Sequence, residues 1–565
     1  MGSIDMGKNT ITNWSKLMKK WHIYIILIVA SFLPLAHMLS SSELPHTSDG
    51  AMHAIRFASY YKEVQAGQFP VRWTSQFHFG HGTALFNVTA PLPYMVGAFL
   101  LFLTISPELA LKLSFAGTYL LAGIGMYLFA RIYFKNEKIA LFTALIYQFA
   151  PFRLVDMLIR GNIGSLYSYM LVPFSFYFIT RFLQKKSYGS FFGISIFIAL
   201  LALGHTINGY IFIGLSGLFT LVLAKKIRDA VQVFVSILFG LGLAAFFTIP
   251  AFLEQKYTNG NLFTKDVFYN HFPPLLSLIL PNFTNSTKLR MSEVPVQIGL
   301  FHVISYLTLL VLLLKNKITK EVQLFALLIA LLVPLVILFM QPVTTVFWET
   351  IPLIRQFQFP WRLVAIISFL TSLGAGIVMV YVKPIQKSVI YWSLVVLVII
   401  STIYYWIPTQ GYEVTDESFY WDYPYTTNYF SEINTVWMGH EPKEYPTHPV
   451  EISGDTAIIT SQSLTSIKHS YTVKAVAPTT VIDRTFYFPG WKLYINGEEG
   501  SIQFQDPAYQ GLITFQVPEG ESDIVVVFEQ SKIQQLGNII SLGTMIMLVS
   551  GFWLKEAFIK VRIYL

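Results

Sequence analysis

The stretch HIYIILIVASFLPLAHMLSSSELPHTSDGAMH, residues 22–53, decides the fold class. Its first part, 22–40, is apolar and long enough to cross the ~30 Å of hydrocarbon in a bilayer. Its second part ends in Ser48-Asp49-Gly50-Ala51-Met52-His53, an acid just beyond the membrane at the mouth of a new helix. Lys16, Lys19 and Lys20 precede the run and no small-residue cleavage site follows it. It therefore reads as a retained anchor rather than a signal peptide. Comparable runs recur through most of the 565 residues: 54% are hydrophobic, 12% are charged, and the mean hydropathy is +0.54. No soluble globule of this size hides that much apolar surface, so the chain reads as a polytopic α-helical membrane protein.

Charge in the loops orients it. The formal net charge is +8, but the basic residues cluster in short loops between spans, so no nucleic-acid partner is implied. The clusters are Lys16–Lys20, Arg131/Lys135/Lys138, Arg181/Lys185/Lys186, Lys225/Lys226/Arg228, Lys315/Lys317/Lys320, Lys383/Lys387 and Lys555/Lys560/Arg562. The positive-inside rule places all of them in the cytoplasm. Twelve spans satisfy that: 22–40, 108–132, 138–152, 165–182, 189–204, 207–224, 230–252, 298–314, 321–340, 361–382, 388–407 and 534–554. The apolar stretch from Pro91 to Ile105 is short for a span and reads as an interfacial or re-entrant helix, with Pro91 and Pro93 in its first turn. Cysteine is absent, so neither disulfides nor thiol chemistry is available.

This topology expects a transmembrane domain over 1–407 with a first outer loop at 41–107. Shorter outer loops follow near Asp156, His205, 253–297 and 341–360. An extracytoplasmic β-rich domain fills 408–532, and a last span with a cytoplasmic tail fills 533–565. In 408–532 apolar and polar residues alternate between turn signals such as Asn496-Gly497. Strands are expected at Ile467–Val476, Thr480–Phe488 and Ile524–Phe528, forming a small β-sandwich.

Residues 50–66 have helical periodicity. Ala54, Phe57, Ala58, Tyr61 and Val64 fall on one face, with His53, Arg56, Tyr60 and Glu63 on the other, so the helix is expected to lie in the interface, apolar side down. Asp49 at its start is placed either to cap it, a contribution of ~1 kcal/mol, or to act as a catalyst; the roles are compatible. His53, His78 and His81 offer a weak His-x-x-His metal signal on a Gly-rich loop; interface or substrate contacts explain them better. The pattern fixes no cofactor and leaves the need for a divalent cation open.

An acid after the first span, an amphipathic surface helix, and Pro91-Leu92-Pro93-Tyr94 opening a short apolar helix together resemble the GT-C fold glycosyltransferases. More closely, the chain resembles the bacterial YfhO-like membrane proteins and their shorter relatives named for pyruvoyl-tetrahydropterin synthase. The matching stretches are Ser48-Asp49-Gly50 with His53, Arg160-Gly161-Asn162, Gly204-His205-Thr206-Ile207-Asn208, Arg355 to Arg362 (RQFQFPWR) and Tyr487-Phe488-Pro489-Gly490-Trp491-Lys492. They run over nearly the whole chain; FQFPWR and FPGWK are the most specific. The pterin name is not an activity, because that soluble enzyme has another fold and no copy of it is visible here.

The resemblance implies a polyprenyl-phosphate sugar donor and an acceptor hydroxyl on an envelope glycopolymer, glycolipid or lipid. The enzyme would sit in a bacterial cytoplasmic membrane with its site facing outward. Asp49 is then the candidate general base, and displacement by one base inverts the anomeric centre. Many GT-C enzymes carry a second acid in the next outer loop; Asp156 is the candidate, although Arg153 and Arg160 flank it and a salt bridge is the other reading. Arg160, Arg355 and Arg362 are candidates for the phosphate, with snorkelling beside Phe357, Phe359 and Trp361 the alternative for the latter two. His53, His81, His205, Asn208 and Gln358 complete the expected substrate contacts. Helix capping is the alternative for His205 and Asn208, and packing is the better reading of Trp491 and Lys492. Two other functions compete: a transporter or flippase of lipid-linked sugars, and a non-catalytic envelope assembly protein. The span centres are nearly free of charge and the charges gather at the outer rim, which favours surface chemistry over passage.

Overall fold

The computed structural model describes residues 22–260, 266–281, 295–408, 410–427 and 431–564; the basic cluster Lys16–Lys20 lies outside them. The described residues form a bundle of apolar helices carrying a β-rich domain near the C-terminus. Among them seven helices are long and apolar enough to cross a membrane: Pro107–Phe134, Ile163–Gln184, Thr206–Leu223, Lys320–Phe339, Pro360–Tyr381, Ser388–Tyr405 and Lys532–Gly551. The number rises to nine if two bent pairs, Glu137–Gln148 with Pro151–Leu158 and Ile227–Leu243 with Ala245–Leu253, each count once. The remaining expected spans coincide with shorter apolar helices, His22–Phe32, Tyr188–Gly204 and Leu300–Leu314. The first expected span, 22–40, is divided, with a second short helix at Ala36–Ser40 after the turn at Pro34.

The bundle has two chemically different ends. Helix Ile163–Gln184 begins after Asn162 and ends at Lys185; helix Thr206–Leu223 begins after His205 and runs toward Lys225; helix Val364–Tyr381 begins beyond Arg362 and ends before Lys383. One end therefore gathers the basic loops, and the other gathers the candidate site. Pro91 precedes the first turn of helix Leu92–Thr104, whose exposed Phe99, Phe102 and Leu103 form an apolar flank at the site end.

The β-rich domain contains two antiparallel sheets. Its strands are β3 (Val450–Ile452), β4 (Ala457–Leu464), β5 (Lys468–Ala475), β6 (Thr479–Phe486), β7 (Trp491–Ile495), β8 (Glu498–Gly500), β9 (Leu512–Val517) and β10 (Gly520–Phe528), following a small ribbon of β1 (Leu44–Pro45) and β2 (Tyr412–Glu413). The large sheet has the order β4-β5-β10-β7-β8 and the small one β3-β6-β9. Alternate residues such as Tyr471, Val473, Val481, Phe515, Ile524 and Val526 turn inward and share one core.

The sheets begin only at Val450. The preceding residues form a strap laid over the first loop. β2 pairs with β1, helix Glu417–Trp421 lies against helix Gly50–Gln65, and Thr435 bridges Thr258. The first loop in turn enters the β-domain core. Trp73 is fully buried there, edge-on to Trp491 at 5.4 Å and beside Phe528, and Ala84 joins it. Trp491 thus serves packing, while Lys492 pairs with Glu499 and Glu529.

This strap corrects the expected placement of helix Gly50–Gln65. Its polar face does not meet water: His53, Tyr60 and Glu63 are buried, whereas Val64 of the apolar face is exposed. The reason is pairing. Ser59 bonds Thr74, Glu63 accepts from Gln68 and from the Ser75 amide, and Arg56 donates to Thr427. The helix is held between the bundle and the strap. Truncating Trp73 to Ala is expected to destabilise this junction by about 3–5 kcal/mol. Limited proteolysis of the full chain checks it: the β-rich domain and the 66–84 loop should become cleavable together.

Candidate functional site

Two loops clasp at the start of helix Gly50–Gln65. The Ser48 amide donates to the Ile159 carbonyl at 3.1 Å and the Asp49 amide to the Arg160 carbonyl at 2.7 Å. Gly161 makes the approach possible. It sits at φ +69°, and a Cβ there would lie 2.4 Å from Thr47 Oγ1 and 2.7 Å from the Gly50 nitrogen. Thr47 Oγ1 accepts from the Gly50 amide at 3.0 Å. Asp49 occupies the cap position, yet its side chain makes no capping bond. Its Oδ2 instead accepts from Asn162 Nδ2 at 3.2 Å. Asn162 is fixed in that orientation because its Oδ1 caps the next helix through the Ser165 amide, at 2.9 Å. The carboxylate is thus held, half-buried, toward the Arg160 loop.

Behind it lie buried cations. Arg160 is 1% exposed, pairs with Asp156, and sits over the Trp361 ring at 4.5 Å. Among the described residues its Nε and Nη2 have no partner. Arg362, 7% exposed, donates to Gln358 Oε1 at 2.8 Å and to the Phe357 carbonyl at 3.3 Å. It lies over Phe359 at 4.6 Å and leaves its Nε unpaired. The Phe359 and Trp361 rings stack at 5.1 Å, 8° from parallel. FQFPWR therefore supplies two stacked rings, each with a guanidinium over it, and Arg362 is within electrostatic reach of both Arg160 and Asp49. A buried, incompletely paired guanidinium is strongly unfavourable unless an anion completes it.

The third wall comes from the loop helix. His53, one turn after Asp49, has its Nδ1 3.1 Å from Tyr94 Oη. Arg56 donates to the same hydroxyl at 3.3 Å and to Thr427 Oγ1 and carbonyl oxygen at 2.9 Å each. Burial, reinforced by the charge of Arg56 and then by His205 and Arg160, holds the His53 imidazole well below its usual range. His205 caps helix Thr206–Leu223, its Nδ1 accepting from the amides of Ile207 and Asn208, and it packs against Gly164. Asn208 donates to Ser165 Oγ at 3.1 Å, and its Oδ1 is buried without a partner.

The sequence between residues 86 and 409 matches the model of a membrane protein family, the 6-pyruvoyl-tetrahydropterin synthase related domain. The chain belongs to that family. Comparison with curated proteins finds no match. The structure is similar to an Archaeoglobus fulgidus oligosaccharyltransferase tethered to an acceptor peptide, with 11% identity, a TM-score of 0.43, and coverage of 77% of this chain and 62% of that one. It is similar to the arabinofuranosyltransferase AftD from Mycobacteria, with 15% identity, a TM-score of 0.41, and coverage of 68% and 27%. It is also similar to ArnT from Cupriavidus metallidurans bound to undecaprenyl phosphate, with 17% identity, a TM-score of 0.39, and coverage of 68% and 62%. The chain spans less than two thirds of the length of each.

The matched family region contributes Arg160, His205 and Arg362; Asp49 and His53 come from the segment before it. The structure brings Asp49, His53, Arg160, His205 and Arg362 together, with Asn208 behind His205. Four of the expected residues are engaged by protein partners. Asp156, expected as a second acid or a salt-bridge partner, is 1% exposed, and its oxygens are bonded by Arg160 and by Tyr169 Oη at 2.8 Å. Gln358, at φ +61°, holds Arg362. Arg355 bonds the carbonyls of Trp348 and Glu349, tying its own loop. His81 lies tilted against Phe486 of β6 at 5.3 Å and bonds the His78 carbonyl, a junction with the β-rich domain. Among the described residues no three His, Cys, Asp or Glu side chains gather to hold a metal ion. Arg56, Tyr94, Asn162 and Trp361 were missing from the expected site. Asn162 and Trp361 stood in quoted motifs, and Arg56 stood one turn from His53.

Gly161→Ala should destabilise the chain by more than about 1 kcal/mol through the left-handed backbone alone, with the clash added; thermal unfolding in detergent reads it. A second test concerns acid. Burial pushes the His78 imidazole down to about 4. Between that value and its ordinary 6.5, the unfolded chain binds a proton that the folded chain refuses. The stabilisation is present above 6.5 and is lost as the pH falls toward about 4, by on the order of 3 kcal/mol. His78→Gln should flatten the fall in thermal midpoint between pH 7 and pH 5.

Proposed function

We propose that this chain is a GT-C-type membrane glycosyltransferase. It moves a sugar from a polyprenyl-phosphate donor to a hydroxyl of an envelope glycopolymer, glycolipid or lipid. The observation that carries the reading is Asp49. Its carboxylate stands at a helix start without being used as the cap, and Asn162 holds it within electrostatic reach of Arg362, whose guanidinium, like that of Arg160, keeps N–H groups without a partner among the described residues. In this reading Asp49 takes the acceptor proton while the acceptor oxygen attacks the anomeric carbon. The bond from that carbon to the phosphate oxygen breaks, and its electron pair leaves with the phosphate. Arg160 and Arg362 meet the growing negative charge with fixed N–H donors. Attack opposite the leaving phosphate inverts the centre.

Orientation follows from the two ends of the bundle. The basic loops belong in the cytoplasm, so the site and the β-rich domain face outward from a bacterial cytoplasmic membrane. The apolar flank Phe99, Phe102 and Leu103, on the helix that carries Tyr94, supports approach of a lipid tail from the bilayer. A transporter reading would draw on the broken span Pro151–Leu158. Its one carboxylate, Asp156, is occupied by Arg160 and Tyr169, which argues against carriage of a proton or cation there.

Asp49→Asn should fold and insert as wild type and lose transfer by ~10²–10⁴-fold. The check is envelope glycosylation in cells carrying only the variant, beside its thermal midpoint. Wild-type glycosylation would remove Asp49 from the base role.

A further inference from the structure

The hydrogen bonds around Tyr94 fix the proton of His53. Arg56 can only donate, so Tyr94 Oη accepts from its Nη1 at 3.3 Å. Tyr94 is buried, and its single O–H needs an acceptor. The His53 Nδ1, at 3.1 Å, is the acceptor in reach. With Nδ1 accepting, the imidazole proton sits on Nε2. That nitrogen is buried on a side chain only 8% exposed and has no partner among the described residues. It belongs with other orphaned donors of the same site: Arg160 Nε and Nη2, Arg362 Nε and Trp361 Nε1. These five are N–H groups, with the Asn208 Oδ1 an orphaned acceptor of the same site, so an oxyanion with several acceptor oxygens answers the donors.

Building on the proposed function, we infer that His53 is a neutral Nε2–H donor to the phosphoryl group, a contact that the relay Arg56–Tyr94–His53 sets in advance. A cationic imidazole is disfavoured here. Burial opposes it, and Arg56, His205 and Arg160 repel it. Of the other groups near it, Tyr94 bonds its Nδ1, and the Asp49 carboxylate accepts from Asn162. The role separates His53 from Asp49: one turn apart on the same helix, the acid handles the acceptor proton and the imidazole binds the leaving phosphate. The relay also gives Arg56 and Tyr94 a purpose as positioning residues, since each acts on the phosphate only through His53.

The test uses the full chain in lipid nanodiscs, with undecaprenyl phosphate as one probe and inorganic phosphate as the other. Affinity is measured from pH 5.5 to 7.5, beside the ¹⁵N spectrum of the histidines. His53→Leu should weaken undecaprenyl phosphate binding about tenfold or more. His53→Gln, whose amide N–H reaches a similar place, should recover most of it. Wild-type affinity should not rise as pH falls through 6, and the His53 signal, assigned by its loss in the Gln variant, should show the neutral Nε2–H tautomer. Tyr94→Phe should mix the tautomers. Parallel losses for inorganic phosphate identify the headgroup as the contact; losses for the lipid alone would place the contact on a lipid-borne phosphate that needs its tail to dock. Unchanged binding in His53→Leu, a protonated imidazole at pH 6, or an Nδ1–H tautomer would overturn the inference. If Arg362→Gln loses the lipid while His53→Leu keeps it, the proposed function survives and this inference falls. If neither variant loses it, both fall.

Discussion

Three guanidiniums, those of Arg153, Arg160 and Arg362, are withdrawn from water around the single bonded carboxylate of Asp156, and the bundle is arranged to tolerate them. An isolated buried charge is unfavourable by several kcal/mol. Aromatic faces make up part of the difference. Arg153, 1% exposed, lies 5.2, 4.7 and 5.4 Å from the rings of Tyr119, Tyr147 and Tyr169. Those tyrosines come from helices Pro107–Phe134, Glu137–Gln148 and Ile163–Gln184, so the charge fixes three helices about one point. Tyr169 also bonds Asp156, which holds Arg160 against Trp361. The chain of contacts runs from the bundle interior to the candidate site, and its net charge stays positive.

That surplus explains why the first loop must be placed with care. Asp49 is joined to Arg160 through the backbone, not through a side-chain ion pair: the Asp49 amide meets the Arg160 carbonyl, and the two side chains point to different partners. A direct pair would neutralise both groups. The Gly161 turn brings the acid close to the cation while Arg160 stays paired with Asp156, and Asn162 holds the Asp49 carboxylate through a neutral amide.

The sequence made the helix ends legible because spans are long, apolar and bounded by charge. It also singled out Asp49, since an acid after a span is conspicuous. It did not separate Arg355 from Arg362. They share a loop, a charge and an aromatic setting, and the pattern does not say that one bonds the carbonyls of Trp348 and Glu349 while the other is buried over Phe359 within reach of Arg160. The same limit applies to helix Gly50–Gln65. Its periodicity is that of an interfacial helix, but periodicity records which residues differ in polarity, not whether water or another chain segment meets the polar side. Thr427 lies 371 residues from Arg56, and no local pattern announces it. His53 and His81 looked alike for the same reason, one facing Tyr94 and the other Phe486.

The β-rich domain is then part of the site's support and not an appendage. Trp73 and Ala84 complete its core, so undocking it would expose both its own interior and the loop that follows the Asp49 helix. Its exit is fastened as well. Glu254, fully buried, accepts from Asn87, Ser531 and Gln534, while Arg72 donates to Asn87. Arg72 and Asn87 flank the docked loop; Ser531 and Gln534 begin the helix that returns the chain to the bundle. Both boundaries of the β-rich domain are therefore fixed to the same loop: the strap holds the Asp49 helix through Thr427, and the exit holds the far side of the loop through Asn87. A carboxylate on a free outer loop would sample many positions relative to Arg160. Fixed at both sides, this one is held in one position beside the Arg160 loop and Asn162.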